Sequence, residues 1–125
     1  MISSQFNTTG WVIQCQVVTD SEGVNAVQLV PGGSGIDKGA NIGLTGVDLT
    51  STYTWTFWAR ADNAGDKLHT ELWGGHGAND IPLTTEWEKY QVQGEFDKTM
   101  QALYFWGPES NKGNVYVKLP YLYKD

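Results

Sequence analysis

Along most of the chain, apolar and polar residues alternate in short runs, and the runs are separated by clusters of Gly, Asn, Asp and Ser. Alternation with period two places successive side chains on opposite faces of a strand, and the spacing of an amphipathic helix is almost absent. The pattern predicts strands at about 11–18 (WVIQCQVV), 26–30 (AVQLV), 41–44 (NIGL), 52–61 (TYTWTFWARA), 67–73 (KLHTELW), 88–96 (EKYQVQGEF), 101–106 (QALYFW) and 114–123 (NVYVKLPYLY). Turn chemistry lies between them: DSEG at 20–23, PGGSG at 31–35, DKGA at 37–40, DNAGD at 62–66 and GPESNKGN at 107–114. Short strands punctuated in this way suit an all-β sandwich or barrel of two packed sheets. The segment 74–80 (GGHGAND) is glycine-rich and reads as a mobile loop. Pro120 falls inside the last run, and a residue that cannot donate to a ladder implies an edge strand or a bulge there.

The same alternation sorts side chains into a core set and a remainder. Tyr53, Trp55, Phe57 and Ala59 form one core row; Trp11, Ile13, Cys15 and Val17 form another. Val27 and Leu29, then Leu68, Thr70 and Leu72, then Tyr90, Val92 and Phe96, then Leu103 and Phe105 complete it. On the opposite faces lie Trp58 and Arg60; His69, Glu71 and Trp73; Lys89, Gln91 and Gln93; Tyr104 and Trp106. An ordinary solvent face offers Thr, Lys, Glu and Ser, so rings mixed with amides and charges on several strands call for an explanation. A sugar site requires this composition, because the C–H face of a pyranose lies against a ring while its hydroxyls need donors and acceptors. Two blander arrangements would also account for the rings: loops that cover them, or a bulge that turns Trp73 or Trp106 inward. Arg60 and Glu71 would equally suit a cross-strand ion pair of little energetic value.

A length of 125 residues fits one domain spanning 1–125, and the composition of six tryptophans, six tyrosines, four phenylalanines and 15 glycines fits a turn-rich globular unit. No apolar run approaches the roughly 20 residues of a membrane-spanning helix. No basic-then-apolar leader opens the chain, so its first residues read as mature structure or as the start of an excised module. The formal charge of -6 argues against nucleic acid as a partner and favours a neutral or cationic one. The single Cys15 has no partner for a disulfide or a zinc site and reads as a small buried apolar residue.

Ile2, Phe6 and TTGW (8–11), YTWTFWARA (53–61), LTTEWEKYQV (83–92) and GNVYVKLPYLYKD (113–125) together resemble the jelly-roll carbohydrate-binding modules. The resemblance covers nearly the whole chain, and its most specific piece is LTTEWEKYQV, a Thr-x-Trp-x-x-Tyr turn into a strand. It implies a galactose-binding-like β-sandwich of two antiparallel sheets. The ending VYVKLPYLYKD is similar to modules inserted in bacteriophage distal tail and adsorption proteins, which bind saccharides of the bacterial surface. Lys118 and Leu119 stand where modules of polysaccharide-degrading enzymes often have acids. The implied partner is thus host cell-wall polysaccharide, beside other phage tail subunits, and the implied location is the virion. A binding module of a secreted bacterial enzyme is the alternative. Many such modules hold a structural calcium; Asn7 stands where an acid often follows the phenylalanine, and Asp20, Glu22 and Asp125 are the candidate ligands.

Catalysis is not expected. Asp80, Glu86, Glu88, Glu95 and Asp97 supply carboxylates, but glycoside hydrolysis needs two held about 5–10 Å apart across a cleft, and no nucleophile, phosphate or metal-protease motif is present. His69-x-Glu71 with His76 is weak as a metal motif. The candidate ligand-binding set is Trp58, Arg60, His69, Glu71, Trp73, Gln91, Gln93, Tyr104 and Trp106, taken as one sheet face with the 74–80 loop at its rim. A structural or protein-interaction domain of a virion subunit competes with this reading, since exposed rings also mark interfaces. Charges and amides among the rings favour the sugar.

Overall fold

The computed structural model describes residues 11–32, 39–74, 76–108 and 112–125. The opening motif at 2–10 with Asn7, and parts of the loops at 33–38 and 109–111, lie outside the described residues. The strands are β1 (Trp11–Ile13), β2 (Gln16–Thr19), β3 (Asn25–Leu29), β4 (Ala40–Gly43), β5 (Thr52–Ala61), β6 (Lys67–Leu72), β7 (His76–Pro82), β8 (Glu88–Glu95), β9 (Ala102–Trp106) and β10 (Val115–Lys124). They pair antiparallel into two five-stranded sheets: a front sheet in the order β1-β4-β9-β6-β7 and a back sheet in the order β2-β3-β10-β5-β8.

The core lies between the sheets and is built from the rows that alternation predicts. Tyr53, Trp55, Phe57 and Ala59 point inward from β5 and meet Leu68, Leu72, Leu103 and Phe105 from the front sheet. Phe57 packs edge-on against Phe105, with ring centroids 5.1 Å apart. Thr70 belongs inside for a polar reason: its hydroxyl accepts the Trp55 indole N–H at 3.0 Å and donates to the Tyr104 carbonyl at 2.8 Å. A bond is thereby supplied to an indole that burial would otherwise leave unpaired.

Three expectations need correction. The run 11–18 is two strands, not one: β1 joins the front sheet and β2 the back sheet. Val17, expected in the core, is 41% exposed. It shares its row with the buried Val27 and Val117, but on an edge strand nothing covers it. The segment read as a mobile loop at 74–80 mostly forms β7, the edge of the front sheet. Its glycines mislead because one of them serves close approach: Gly77, at φ 65°, leaves no room for a Cβ, which would sit 2.5 Å from the Gln93 carbonyl and 3.0 Å from the Trp55 ring. Here the two sheets meet along one side of the sandwich, with Gly77 against Gly94.

Pro120 does not mark an edge. β10 is flanked by β3 and β5, and the ladder with β5 shifts register between Lys118 and Tyr121. This is the bulge that the proline implied as the other alternative. Leu119 within it adopts φ 53°, and it is the positive-φ residue other than glycine among the described residues.

Candidate functional site

The nine candidate residues do not share a face. Antiparallel pairing assigns His69, Glu71, Tyr104 and Trp106 to the outer side of the front sheet, and Trp58, Arg60, Gln91 and Gln93 to the outer side of the back sheet. Trp73 follows β6 at the far end of the front sheet, 36% exposed, with its backbone N–H bonded to the Ala102 carbonyl. The platform expected to join Trp58 with Trp73 and Trp106 is therefore divided by the core.

The front face is organised around β9, the central strand of its sheet. Register places Trp106 beside His69 and His69 beside Asp80, so these three form one row across the sheet. The His69 ring stacks on the Trp106 indole at 4.0 Å with an interplanar angle of 11°. Its Nδ1 lies 2.8 Å from Asp80 Oδ1 and its Nε2 2.7 Å from Glu71 Oε1. Ionised carboxylates only accept, so both contacts are satisfied when the imidazole carries both protons. The histidine is thus fixed at three points, and it holds the face of Trp106 in a set orientation. Tyr104, expected as an exposed ring, is buried at 4% exposure, because it stands on the central strand between Asn41 and Glu71 and against Trp106. Burial, and then the Glu71 charge, push its phenol up.

Beside this row opens a cleft of about 770 Å³ at the end of the sandwich where β6 begins and β9 ends. Among the described residues its walls are Trp106, His69 and Asp80 from the sheet, Asp66 and Lys67 at the start of β6, and Gly32, Gly65, Gly107, Pro108 and Lys112 from the adjoining loops. Asp66 ties two of these loops together by accepting the Gly113 N–H at 2.8 Å. Gly39 lies under the same wall: a Cβ there would stand 2.2 Å from the Phe105 carbonyl and 3.1 Å from Trp106 Cβ. The volume and the mixture of one ring with ammonium, carboxylate and imidazole groups suit a small polar ligand with an apolar face.

The back face is chemically different. Arg60 lies over the Tyr116 ring at 4.2 Å and near the Trp87 ring at 5.5 Å, and Lys118 stands 4.3 Å over the same Trp87 ring. Lys118 also donates to Asp20 at 2.6 Å, and Arg60 pairs with Asp62 at 3.8 Å. These are cation–ring contacts already made, not rings awaiting a ligand. The Arg60–Glu71 ion pair considered from sequence does not form, since the two side chains are on opposite sheets. Trp58 is half-buried between Lys89 and Lys118. Gln93 donates to Asp125 at 2.8 Å, and Asp125 also accepts from Thr54.

Two of the three carboxylates named for calcium, Asp20 and Asp125, already have partners within the chain. Asp20 is occupied by Lys118 and by the N–H groups of Glu22 and Val24, and Asp125 by Gln93 and Thr54. Among the described residues no three His, Cys, Asp or Glu side chains gather as metal ligands. Of the acids weighed for catalysis, Glu88 accepts from Thr84 and Tyr90, and Asp97 binds Thr99 and His76. Sequence reasoning passed over Lys67 and treated Asp80 only as a spare acid; its place opposite His69 depends on β7, which the glycines concealed.

No protein-family model matches the sequence, and no curated protein matches it. Solved structures do match. A CBM4 module aligns over 92% of this chain and 86% of its own, with a TM-score of 0.68 and 16% identity. The fold is that of the jelly-roll carbohydrate-binding modules. The jelly roll of the CBM22-1 xylan-binding domain from Paenibacillus barcinonensis Xyn10C aligns over 97% of this chain and 89% of its own, with a TM-score of 0.65 and 15% identity. The enzymatically active domain of tailspike protein 4 from bacteriophage CBA120 also matches, over 95% of this chain and 20% of its own, with a TM-score of 0.57 and 15% identity.

Proposed function

We propose that this jelly roll is a non-catalytic carbohydrate-binding module and that its front-face cleft receives a saccharide. The observation that carries the reading is the Trp106 row, in which a ring oriented by His69 borders a cleft of about 770 Å³ furnished with Asp80 and Lys67. A pyranose lays its C–H face on an indole and offers hydroxyls to such neighbours. His69, Glu71 and Trp106 stay in the proposed site, Tyr104 supports it from below, and Trp73 lies about 13 Å along the sheet from His69 at roughly 3.3 Å per residue, within reach of a longer chain. The carboxylates nearest the ring, Asp80 and Glu71, are both bonded to His69, an arrangement for holding the imidazole in place.

The saccharide we favour is bacterial cell-wall polysaccharide, met by a phage tail during adsorption. The C-terminal VYVKLPYLYKD and the likeness of the fold to part of a phage tailspike support this reading. Single-site affinity in the micromolar to millimolar range would suffice, because a virion presents many copies. The second reading is a module of a secreted polysaccharide-degrading enzyme, and the likeness to the xylan-binding domain of Xyn10C favours it.

The test is titration with solubilised cell-wall polysaccharide, xylan and their component sugars, followed by tryptophan fluorescence. Trp106→Ala, with its fold verified, should weaken binding by about tenfold or more, the value of one stacked ring. Binding equal to that of the parent would remove the site from this cleft. Release of new reducing ends over time would make the chain an enzyme.

A further inference from the structure

On the outer face of the back sheet, one patch differs from its surroundings. Near Trp87 the cations are already paired: Arg60 with Asp62 and Lys118 with Asp20. Further along the same strands Tyr121 and Tyr123 face solvent, 46% and 37% exposed, with ring centroids 5.9 Å apart and planes inclined at 36°. Register sets Tyr121 in a row with Thr56 and Gln91, and Tyr123 in a row with Thr54 and Gln93. Among the described residues the Tyr121 and Tyr123 hydroxyls, the Gln91 amide and the Lys89 ammonium have no hydrogen-bond partner. A depression of about 490 Å³ lies among Thr56, Lys89, Tyr90, Gln91, Tyr121 and Tyr123.

The backbone is strained where it delivers these rings. Val115 and Val117 point inward, and unbroken alternation would carry Tyr121 and Tyr123 inward after them. The extra residue in the bulge reverses the phase, so Leu122 enters the core and both tyrosines turn out. A leucine at φ 53° is a conformation costing roughly 1–3 kcal/mol, and such strain concentrates at functional positions.

We propose that this tyrosine patch is a second saccharide-binding site, which holds another segment of glycan chain on the side of the molecule opposite the cleft. Two flat rings side by side provide adjacent stacking places. Gln91, Lys89, Thr56 and the phenols provide neutral or cationic hydrogen-bonding groups around them, and among the described residues no carboxylate lines the depression. A protein partner would want an apolar, charge-depleted centre, and here the rings stand among Lys89, Gln91 and Thr56. The proposal rests on the reading of the chain as a saccharide-binding module. With sites on two opposite faces, one chain bridges two glycan strands and gains avidity without new contacts.

The test uses the ¹⁵N-labelled chain titrated with xylohexaose, cellohexaose and solubilised bacterial cell-wall polysaccharide, with amide signals near Trp106 and near Tyr121 read separately. Both groups should shift, each with its own concentration dependence. In Trp106→Ala the Tyr121 group should still respond. In the double variant Tyr121→Ala, Tyr123→Ala, whose exposed positions leave the core intact, that group's affinity should fall about tenfold or more while the Trp106 group responds as before. If saccharide moves only the Trp106 group, the second site is wrong and the module reading stands. If no saccharide moves either group, the module reading fails with it. Concentration-dependent shifts of the Tyr121 group without sugar would assign the patch to self-association and overturn the proposal.

Discussion

The two outer faces of the sandwich are built from the same kinds of residue and arrive at different states. On the front, Trp106 is held by a histidine that is itself held by two carboxylates, and the row opens onto a cleft. On the back, Trp87 is covered by two cations, while the patch beyond it is open, and among the described residues the Tyr121 and Tyr123 hydroxyls have no hydrogen-bond partner. An aromatic side chain on a sheet exterior is therefore not a site by composition alone. What distinguishes Trp106 from Trp87 is that, with one face taken by His69, it still lines a cleft.

The strongest way to break the front side of this comparison is Gly39→Ala. Its Cβ would lie 2.2 Å from the Phe105 carbonyl, so β4 and β9 must separate under Trp106. Overpacking of this kind costs roughly 1–3 kcal/mol. Thermal unfolding should show a Tm lowered by several degrees, and saccharide binding at the cleft should fall with it, while signals at Tyr121 stay in place. An unchanged Tm would mean that the wall of the cleft yields freely.

Acid sharpens the comparison more gently, through the back sheet and its seam with the front. Asp97 is held down to about 2, first by the Thr99 hydroxyl, then by its N–H, and further by His76. Asp20 is lowered first by Lys118 and then by the Val24 N–H. A carboxyl depressed in the folded state contributes stability that is whole above its unfolded value, about 3.9, and is lost as pH falls through the folded one. Tm should stay level on this account down to about pH 4 and decline from there towards about 2. The Asp20→Asn variant should begin lower and decline less steeply. A parallel decline in both would show that Asp20 plays no part.

The sequence made the division between inside and outside legible, but not the division between the two outsides. Tyr53, Trp55 and Phe57 are buried and Trp58 and Arg60 turn outward, as the alternation of one long strand requires. Whether Trp58 and Trp106 share a face depends on β5 pairing with β8 and β10 while β6 pairs with β7 and β9, and alternation contains no information about pairing partners. Asp80 was obscured because Gly77 and its neighbours have no apolar rhythm, although close approach to Gln93 and Trp55 is the reason for the glycine. Tyr121 and Tyr123 were unreadable for a third reason: alternation cannot be carried across an extra residue.

That extra residue has a consequence for how the gene can vary. Between Lys118 and Tyr121 the chain has two residues where β5 opposes them with Phe57 alone. Removing Pro120 would leave Leu119 opposite Phe57 and restore an ordinary ladder, with Leu122 still inside and both tyrosines still outside. A one-codon deletion in a central strand, usually among the most damaging of changes, should here be tolerated, with a Tm at or above that of the parent; a collapsed fold would show that the kink itself is required.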